Sequence, residues 1–131
     1  MINYDTNRTV TAEQLSQVFE QSGIKRPFQN LERLQKMIDH ADELVSAWDG
    51  DKLVGIARAI TDYVYCCYLS DLAVSKDYQK LGIGKQLVEH LRAKLGPEVS
   101  LVLLSAPTAL DYYPRIGFTN TDKCFVIPRE S

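Results

Sequence analysis

The sequence of 131 residues predicts an α/β domain of the α+β type, with a mixed, mostly antiparallel central sheet and helices on both faces. Three strand-like apolar runs, 44–48, 53–60 and 64–74, follow one another with only short turns between them, as antiparallel strands do. A helical pattern at 85–95 then separates the third run from a fourth, 99–104, which is typical of a parallel crossover. Antiparallel and parallel connections together predict the mixed sheet.

Before these runs, the pattern predicts one strand and two helices. Residues 11–14 have the form of a capping box, and apolar residues then recur at helical spacing until Gly23. A second amphipathic helix begins after Asn30 and ends near Asp42. The loop between the two helices, residues 24–28, is basic.

After the fourth apolar run, the pattern predicts a helix and a final strand. The helix follows Pro107 and is expected to be short or bent, because Pro114 removes one of its hydrogen bonds. The final strand is 125–127, and Pro128 limits how far it can pair. An unpaired edge of this kind invites a partner, so a homodimer is expected.

Composition bounds the classes of protein that fit. The length is that of a single domain, residues 1–131. No apolar run approaches the roughly 20 residues that span a bilayer, and the N-terminus does not read as a signal peptide. A formal charge of −2 gives no general attraction to nucleic acid or to an anionic membrane. We expect a cytoplasmic protein with neither partner.

The three cysteines and two histidines show no metal-ligand or disulfide spacing. Cys66 and Cys67 are adjacent in a strand-like run, and Cys124 stands alone. We expect buried, reduced thiols and no metal.

Residues 79–84, Gln-Lys-Leu-Gly-Ile-Gly, lie between a strand-like run and an amphipathic helix. That order aims the free N–H groups of the helix at one spot, where phosphate oxygens are natural occupants. The pattern is not a P-loop, because Gln79 and Gln86 replace the required glycine and hydroxyl residue. It is not a dinucleotide fingerprint either, because Leu87 replaces the third small residue.

What remains is glutamine, two residues, glycine, one residue, glycine, directly after a strand that ends at Val74. Residues 109–118 then carry alanine, two residues, an aromatic, tyrosine and a later glycine-phenylalanine pair. In this order and spacing the sequence resembles the GCN5-related N-acetyltransferase (GNAT) family. The resemblance implies the GNAT fold and, without any metal, transfer of an acetyl group from acetyl-coenzyme A to a primary amine of a small molecule or peptide.

The resemblance also implies roles for individual residues. The pyrophosphate of the co-substrate is expected on the backbone N–H groups of Gln79, Lys80, Leu81, Gly82, Ile83, Gly84 and Lys85. The pantetheine arm is expected along the main chain of Leu72, Ala73 and Val74, with an N–H near Leu72 polarising the thioester carbonyl. Tyr113 matches the family's tyrosine, which donates a proton to the leaving thiolate; the alternative is an aromatic residue that packs a helix on the sheet.

Acetylation requires a neutral amine, so a base or a water path is expected. Asp71 is the only carboxylate in the cofactor strand and is the leading candidate. Strand alternation places it on the face opposite Tyr68 and Ser70, where relatives commonly carry bases. A bulge in this strand would re-aim the side chains, and a sequence does not locate bulges. Ser70, Tyr68 or water therefore remain alternatives, as does a structural role for Asp71.

The family resemblance implies that the acceptor binds near the loop between the first two helices. Arg26 and Phe28 are the candidate substrate-binding residues, the first for a carboxylate or phosphate and the second for an apolar or aromatic amine; solvated loop residues are the alternative. Residues 57–62 resemble a plant and cyanobacterial branch that acetylates arylalkylamines or lysine side chains. A domain that binds acetyl-coenzyme A without catalysis, as a sensor or assembly part, is the alternative function.

Overall fold

A computed structural model describes residues 1–131 and shows one five-stranded mixed sheet with helices on both faces. The strands lie in chain order across the sheet: β1 Ile2–Asp5, β2 Glu43–Asp49, β3 Lys52–Thr61, β4 Cys66–Val74 and β5 Ser100–Val102. The first four pair antiparallel, whereas β4 and β5 pair parallel. The predicted mixed, mostly antiparallel sheet is confirmed.

Four helices connect or flank the strands: α1 Ala12–Ser22, α2 Leu31–Asp39, α3 Ile83–Leu95 and α4 Tyr112–Arg115. The capping box at α1 is present, because the Thr11 side chain accepts from the Gln14 N–H and Gly23 closes the helix at φ 79°. α2 ends at Asp39, earlier than predicted, and α3 begins at Ile83, before the predicted start. The helix with Pro114 is short, as expected. No helix is both long enough and apolar enough to cross a bilayer.

Each face of the sheet has its own core. On one face, α3 contributes Leu87 and Leu91, which are fully buried against the sheet. On the other face, α1 and α2 contribute Phe19 and Leu34, which pack with Trp48 of β2. Burial of such side chains stabilises the fold by about 1.5–3 kcal/mol each.

β4 contains a β-bulge. Arg58 of β3 lies opposite Asp71, but the next residue, Ala59, lies opposite Leu69, so Ser70 is extra on β4. A bulge bends its strand and changes the face to which the following side chains point. The structure therefore locates the irregularity that the sequence could not.

The bulge reverses the alternation of side chains along β4. Leu69 before it and Leu72 after it both pack in the core beneath α3. Ala73 instead belongs to the core beneath α1 and α2, and Asp71 points to the same side as Ala73. Tyr68, on the side opposite Leu69, shares that face. Simple alternation, which separated Asp71 from Tyr68, is wrong across this bulge.

The predicted final strand at 125–127 is also wrong. Phe125 and Ile127 are 94% and 98% exposed, and no strand forms after β5. Strand preference is a property of a side chain packed on neighbouring strands, and this run has no paired neighbour to cover it. The sheet edge on this side is β5.

The turn from β3 to β4 is held by Asp62, whose Oδ1 accepts from the N–H groups of Val64, Tyr65 and Cys66 at 2.8–3.1 Å. These hydrogen bonds, that from Tyr65 first, lower the pKa of Asp62. The ionised Asp62 carboxylate therefore stabilises the folded protein at any pH above the pKa that Asp62 has in the unfolded chain. This stabilisation is lost as the pH falls through the lower pKa that Asp62 has in the folded protein.

We expect Asp62→Ala to lower the melting temperature at pH 7, and the difference from wild type to shrink as the pH falls below about 4. Thermal unfolding followed by circular dichroism across this range checks it, with Glu98→Ala as a matched surface control. A difference that stays constant with pH would contradict the role of the ionised carboxylate.

Candidate active site

A cleft of about 1010 Å³ opens where β4 and β5 separate. The two strands pair only between Cys66–Tyr68 and Ser100–Val102. Beyond Tyr68, the edge of β4 that faces β5 has no strand partner, and this free edge forms one wall of the cleft. The opposite wall is the segment 103–109, which follows β5, together with Tyr113. The predicted pantetheine residues Leu72, Ala73 and Val74 all line this cleft.

The N-terminus of α3 lies next to the end of β4. The first helical hydrogen bond runs from Gln86 N to Gly82 O at 3.1 Å, and no side chain caps the helix. The N–H groups of Ile83, Gly84 and Lys85 are therefore unpaired within the helix. The preceding turn adopts left-handed φ angles at Lys80 (67°) and Gly82 (82°). Such a turn directs successive N–H groups into an anion-binding concavity.

Gln79 differs from the other predicted phosphate donors. Its N–H donates to the Lys76 carbonyl at 3.3 Å, and its side-chain Nε2 donates to the Val74 carbonyl at 2.8 Å. The glutamine thus fastens the turn to the end of β4, and its N–H is already paired. The six other predicted N–H donors, from Lys80 to Lys85, follow it in the turn and the first turn of α3.

The two glycines of the turn have different surroundings. A Cβ at Gly82 would meet no protein atom, so this position is open, as close approach of a ligand requires. A Cβ at Gly84 would instead overlap the hydroxyl oxygen of Tyr112, although it would lie 3.4 Å from Cζ of the same ring. Gly84 is therefore required for the packing of α4 on α3, which the sequence interpretation did not include.

We expect Gly84→Ala to destabilise the protein, and Tyr112→Phe to relieve most of that loss because it removes only the overlapping oxygen. The free energies of unfolding of the two single variants and the double variant measure the coupling, which should be about 1 kcal/mol or more. Strict additivity would show that the hydroxyl is not the obstacle.

A buried ion cluster surrounds the bulge in β4. Asp71 is 1% exposed, and its Oδ1 accepts from Nε of Arg26 at 2.5 Å while its Oδ2 accepts from Nε of Arg58. The same two arginines bind the bulged residue, Arg26 through the Ser70 carbonyl at 2.8 Å and Arg58 through the Ser70 hydroxyl at 2.9 Å. The cluster thus joins the α1–α2 loop to β3 and β4.

This arrangement favours a structural role for Asp71 over a base. Both carboxylate oxygens already accept hydrogen bonds from guanidinium groups, and charge-assisted hydrogen bonds of this kind are strong. Arg26 is engaged as well, since its third nitrogen donates to the Lys25 carbonyl at 2.7 Å. Its guanidinium is therefore committed to the fold rather than free for an anionic acceptor.

Phe28 also points away from the cleft. Its side chain is partly buried against the core beneath α1 and α2, and its carbonyl accepts from the Ser16 hydroxyl at 2.6 Å. It lines a separate depression of about 350 Å³. The structure therefore brings Asp71, Arg26 and the β4 edge together but leaves Phe28 outside.

Tyr113 lies on the cleft wall with its ring fixed by edge-to-face contacts to Tyr112 and Phe118, at centroid distances of 5.3 and 5.6 Å. No protein group accepts a hydrogen bond from its hydroxyl, which remains free to donate. Burial raises the pKa of Tyr113, so the phenol stays protonated at physiological pH.

Sequence reasoning missed Arg58 and several cleft residues. A lone arginine between Ala57 and Ala59 in an otherwise apolar strand is the signal that a buried counter-charge lies opposite. No such signal marks Arg129, which the chain fold alone brings to the cleft. No cluster of three or more metal-ligating side chains occurs in the structure.

We expect Asp71→Asn to cost about 3–5 kcal/mol of unfolding free energy, because two guanidinium groups lose their buried counter-charge. Urea unfolding measures this loss, and Asp51→Asn at the exposed pair with Arg8 is the control, with an expected cost below about 1 kcal/mol. A variant of wild-type stability whose pH–rate profile loses its lower limb would instead establish Asp71 as a base.

Known proteins of related sequence match this chain over most of its length. Residues 7–126 match the family model described as acetyltransferase (GNAT) domain. The uncharacterized N-acetyltransferase ycf52 of Pyropia yezoensis is 31% identical over 124 residues, which cover 89% of this chain and 70% of that protein. Serotonin N-acetyltransferase 2, chloroplastic, of Oryza sativa subsp. japonica is 32% identical over 110 residues, covering 79% of this chain and 54% of that protein.

The fold comparison agrees. A Staphylococcus aureus protein of unknown function, described as a probable acetyltransferase, superposes with a TM-score of 0.84 at 24% identity and covers 98% of this chain and all of its own. The chain belongs to the GNAT acetyltransferase family.

Proposed function

We propose that this protein transfers an acetyl group from acetyl-coenzyme A to a primary amine, by direct attack of the amine within a ternary complex. The observation that carries the proposal is that the free edge of β4 and the unpaired hydroxyl of Tyr113 line one cleft, while the uncapped start of α3 follows the turn that Gln79 holds to the end of β4. Each matches one part of the co-substrate, namely the amides, the pyrophosphate and the sulfur.

The residues present fit acetyl-coenzyme A. Unpaired N–H groups at Ile83, Gly84 and Lys85 and the positive end of the α3 dipole suit the pyrophosphate. The main chain of Leu72, Ala73 and Val74 offers strand-like hydrogen bonding to the amides of the pantetheine arm. The ammonium groups of Lys80 and Lys85 add positive charge next to the same site.

In the proposed reaction the amine nitrogen attacks the thioester carbonyl carbon, a C–N bond forms and the C–S bond breaks. Negative charge develops first on the carbonyl oxygen, where a backbone N–H near Leu72 would donate. The nitrogen that has formed the C–N bond loses a proton to water, and the leaving thiolate takes a proton from the Tyr113 hydroxyl, which solvent then reprotonates. The products are the acetylated amine and free coenzyme A.

The attacking amine must lose a proton before it reacts, at a cost of about 5 kcal/mol for an amine of ordinary pKa at pH 7. Asp71 is the only carboxylate side chain in the cleft lining, and both of its oxygens are paired. We therefore propose that water takes this proton, either directly or through the exposed Tyr68 hydroxyl on the cleft wall, which would pass its own proton to water as it accepts the proton of the amine.

Thiol release from acetyl-coenzyme A, measured against arylalkylamines, amino acids, polyamines and lysine peptides, tests the proposed function. Release that depends on one class of amine supports an N-acetyltransferase. Saturable binding of acetyl-coenzyme A without release from any amine would contradict catalysis and favour a sensor or assembly domain.

We expect Tyr113→Phe to lower turnover by about 100-fold while acetyl-coenzyme A binds with unchanged affinity, because only the proton donor is lost. Steady-state thiol release and isothermal titration measure the two quantities. Tyr112→Phe is the matched control, since it removes a hydroxyl from the adjacent ring and should leave turnover unchanged. Equal turnover in Tyr113→Phe and wild type would contradict the acid role.

A further inference from the structure

The cleft is much more positive than the protein that contains it. Five cationic side chains line it, while Asp71 is its only acidic side chain, and the whole chain carries a formal charge of −2. The five cations are Lys25, Arg26, Arg33, Arg58 and Arg129. This concentration of one sign in a cavity focuses a positive potential on whatever enters it.

Two of these cations are free to meet a ligand. Arg26 and Arg58 are committed to the buried cluster with Asp71. The side chains of Lys25 and Arg129 form neither an ion pair nor a hydrogen bond with the protein, and both are exposed. Arg33 is only partly engaged by the protein, since its Nη2 donates one long hydrogen bond, of 3.5 Å, to the Ser131 backbone oxygen.

These cations lie at the acceptor end of the cleft rather than at the phosphate end. Lys25 follows α1 in the loop that Arg26 fastens to the bulge of β4. Arg33 is in the first turn of α2, and its contact with Ser131 brings the C-terminal segment, with Arg129, to the same side. The phosphate end has its own lysines, Lys80 in the turn before α3 and Lys85 in the first turn of that helix.

An amine that carries only positive charge finds no free acidic side chain to pair with in this cleft. The Asp71 carboxylate is buried and doubly paired, and the Ser131 oxygen at the cleft already accepts from Arg33 at 3.5 Å. Burying such a charge without a partner is costly. An anionic group on the acceptor reverses this balance, because it can pair with Lys25 and Arg129 while its amine reaches the thioester.

We propose that the acceptor is an amine that also carries an anionic group, a carboxylate or a phosphate, which Lys25 and Arg129 hold at the mouth of the cleft. The inference rests on the proposed acetyl transfer and names its substrate class. The proposed acceptor differs from serotonin, the substrate in the name of the rice relative, because serotonin is an amine without an anionic group. The same positive field favours the neutral form of the bound amine, which is the form that attacks.

Matched acceptor pairs test the proposal with the full chain. 4-Aminobutanoate is compared with butylamine, and phosphoethanolamine with ethanolamine, by thiol release from acetyl-coenzyme A. We expect the anionic member of at least one pair to have a kcat/KM higher by about tenfold or more. The pair that shows the preference distinguishes a carboxylate from a phosphate.

Substitutions at Lys25 and Arg129 test whether these two side chains cause the preference for an anionic acceptor. Lys25→Gln and Arg129→Gln should each raise KM for the anionic acceptor and leave KM for its neutral partner unchanged. Lys94→Gln, an exposed lysine of α3 outside the cleft lining, is the matched control and should change neither. Loss of preference in the control as well would show a general charge effect and overturn the site.

Equilibrium titration of the same compounds, with coenzyme A bound, separates this inference from the proposed function. Anion-selective binding that Lys25→Gln weakens, without any thiol release, would support the acceptor class and remove catalysis. Thiol release in which butylamine or spermidine is used as well as 4-aminobutanoate and phosphoethanolamine would keep catalysis and overturn the acceptor class. Absence of both release and anion-selective binding would overturn the two together.

Discussion

The geometry of the site depends on one buried ion cluster, Arg26, Asp71 and Arg58, around the bulged residue Ser70. Burying the charges of Asp71 and Arg58 and half-burying that of Arg26 is costly unless each finds partners, and here the carboxylate accepts from both guanidinium groups while the bulge supplies further acceptors. The bulge follows shortly after Tyr68, the last β4 residue that pairs with β5. Because a bulge bends its strand, the cluster that fixes it also fixes where the sheet opens.

The cluster also joins parts of the chain that are far apart in sequence. Arg26 belongs to the α1–α2 loop, and its contacts with Ser70 and Asp71 hold that loop against the bulge of β4 at one end of the cleft. At the other end, Gln79 fastens the turn before α3 to the Val74 carbonyl. Both ends of the β4 edge are therefore held by side-chain to backbone hydrogen bonds, so the two ends of the cleft keep a fixed separation. Such preorganisation is what positioning of two substrates requires.

The sequence predicted the sheet, the crossover and α1 because each has a local signature: alternating runs, a helix between strands, and the capping box at Thr11. It failed where the outcome depends on contacts between distant residues. The bulge at Ser70 exists because Arg26 and Arg58 can reach it, and no pattern within β4 records that. The run at 125–127 has strand composition but no partner strand, so it remains exposed. Within the site, the glycine turn could be predicted because the strand, the turn and the helix terminus are consecutive in sequence. Arg129 could not be predicted, because only the tertiary structure brings it to the cleft.

The pairing of Asp71 with two arginines limits the chemistry that the cleft can perform. A free carboxylate there would attract the ammonium form of an acceptor and then accept its proton, so binding and deprotonation would use one group. With both oxygens paired to arginines, neither task is available to it, and the unpaired charges that remain in the cleft are positive. Such a field opposes the ammonium form, yet it stabilises the negative charge that develops on the carbonyl oxygen and the sulfur. If the proposed transfer to an amine is correct, acceptor binding must come from a different part of the acceptor molecule, and selection of the amine is then separate from activation of the amine.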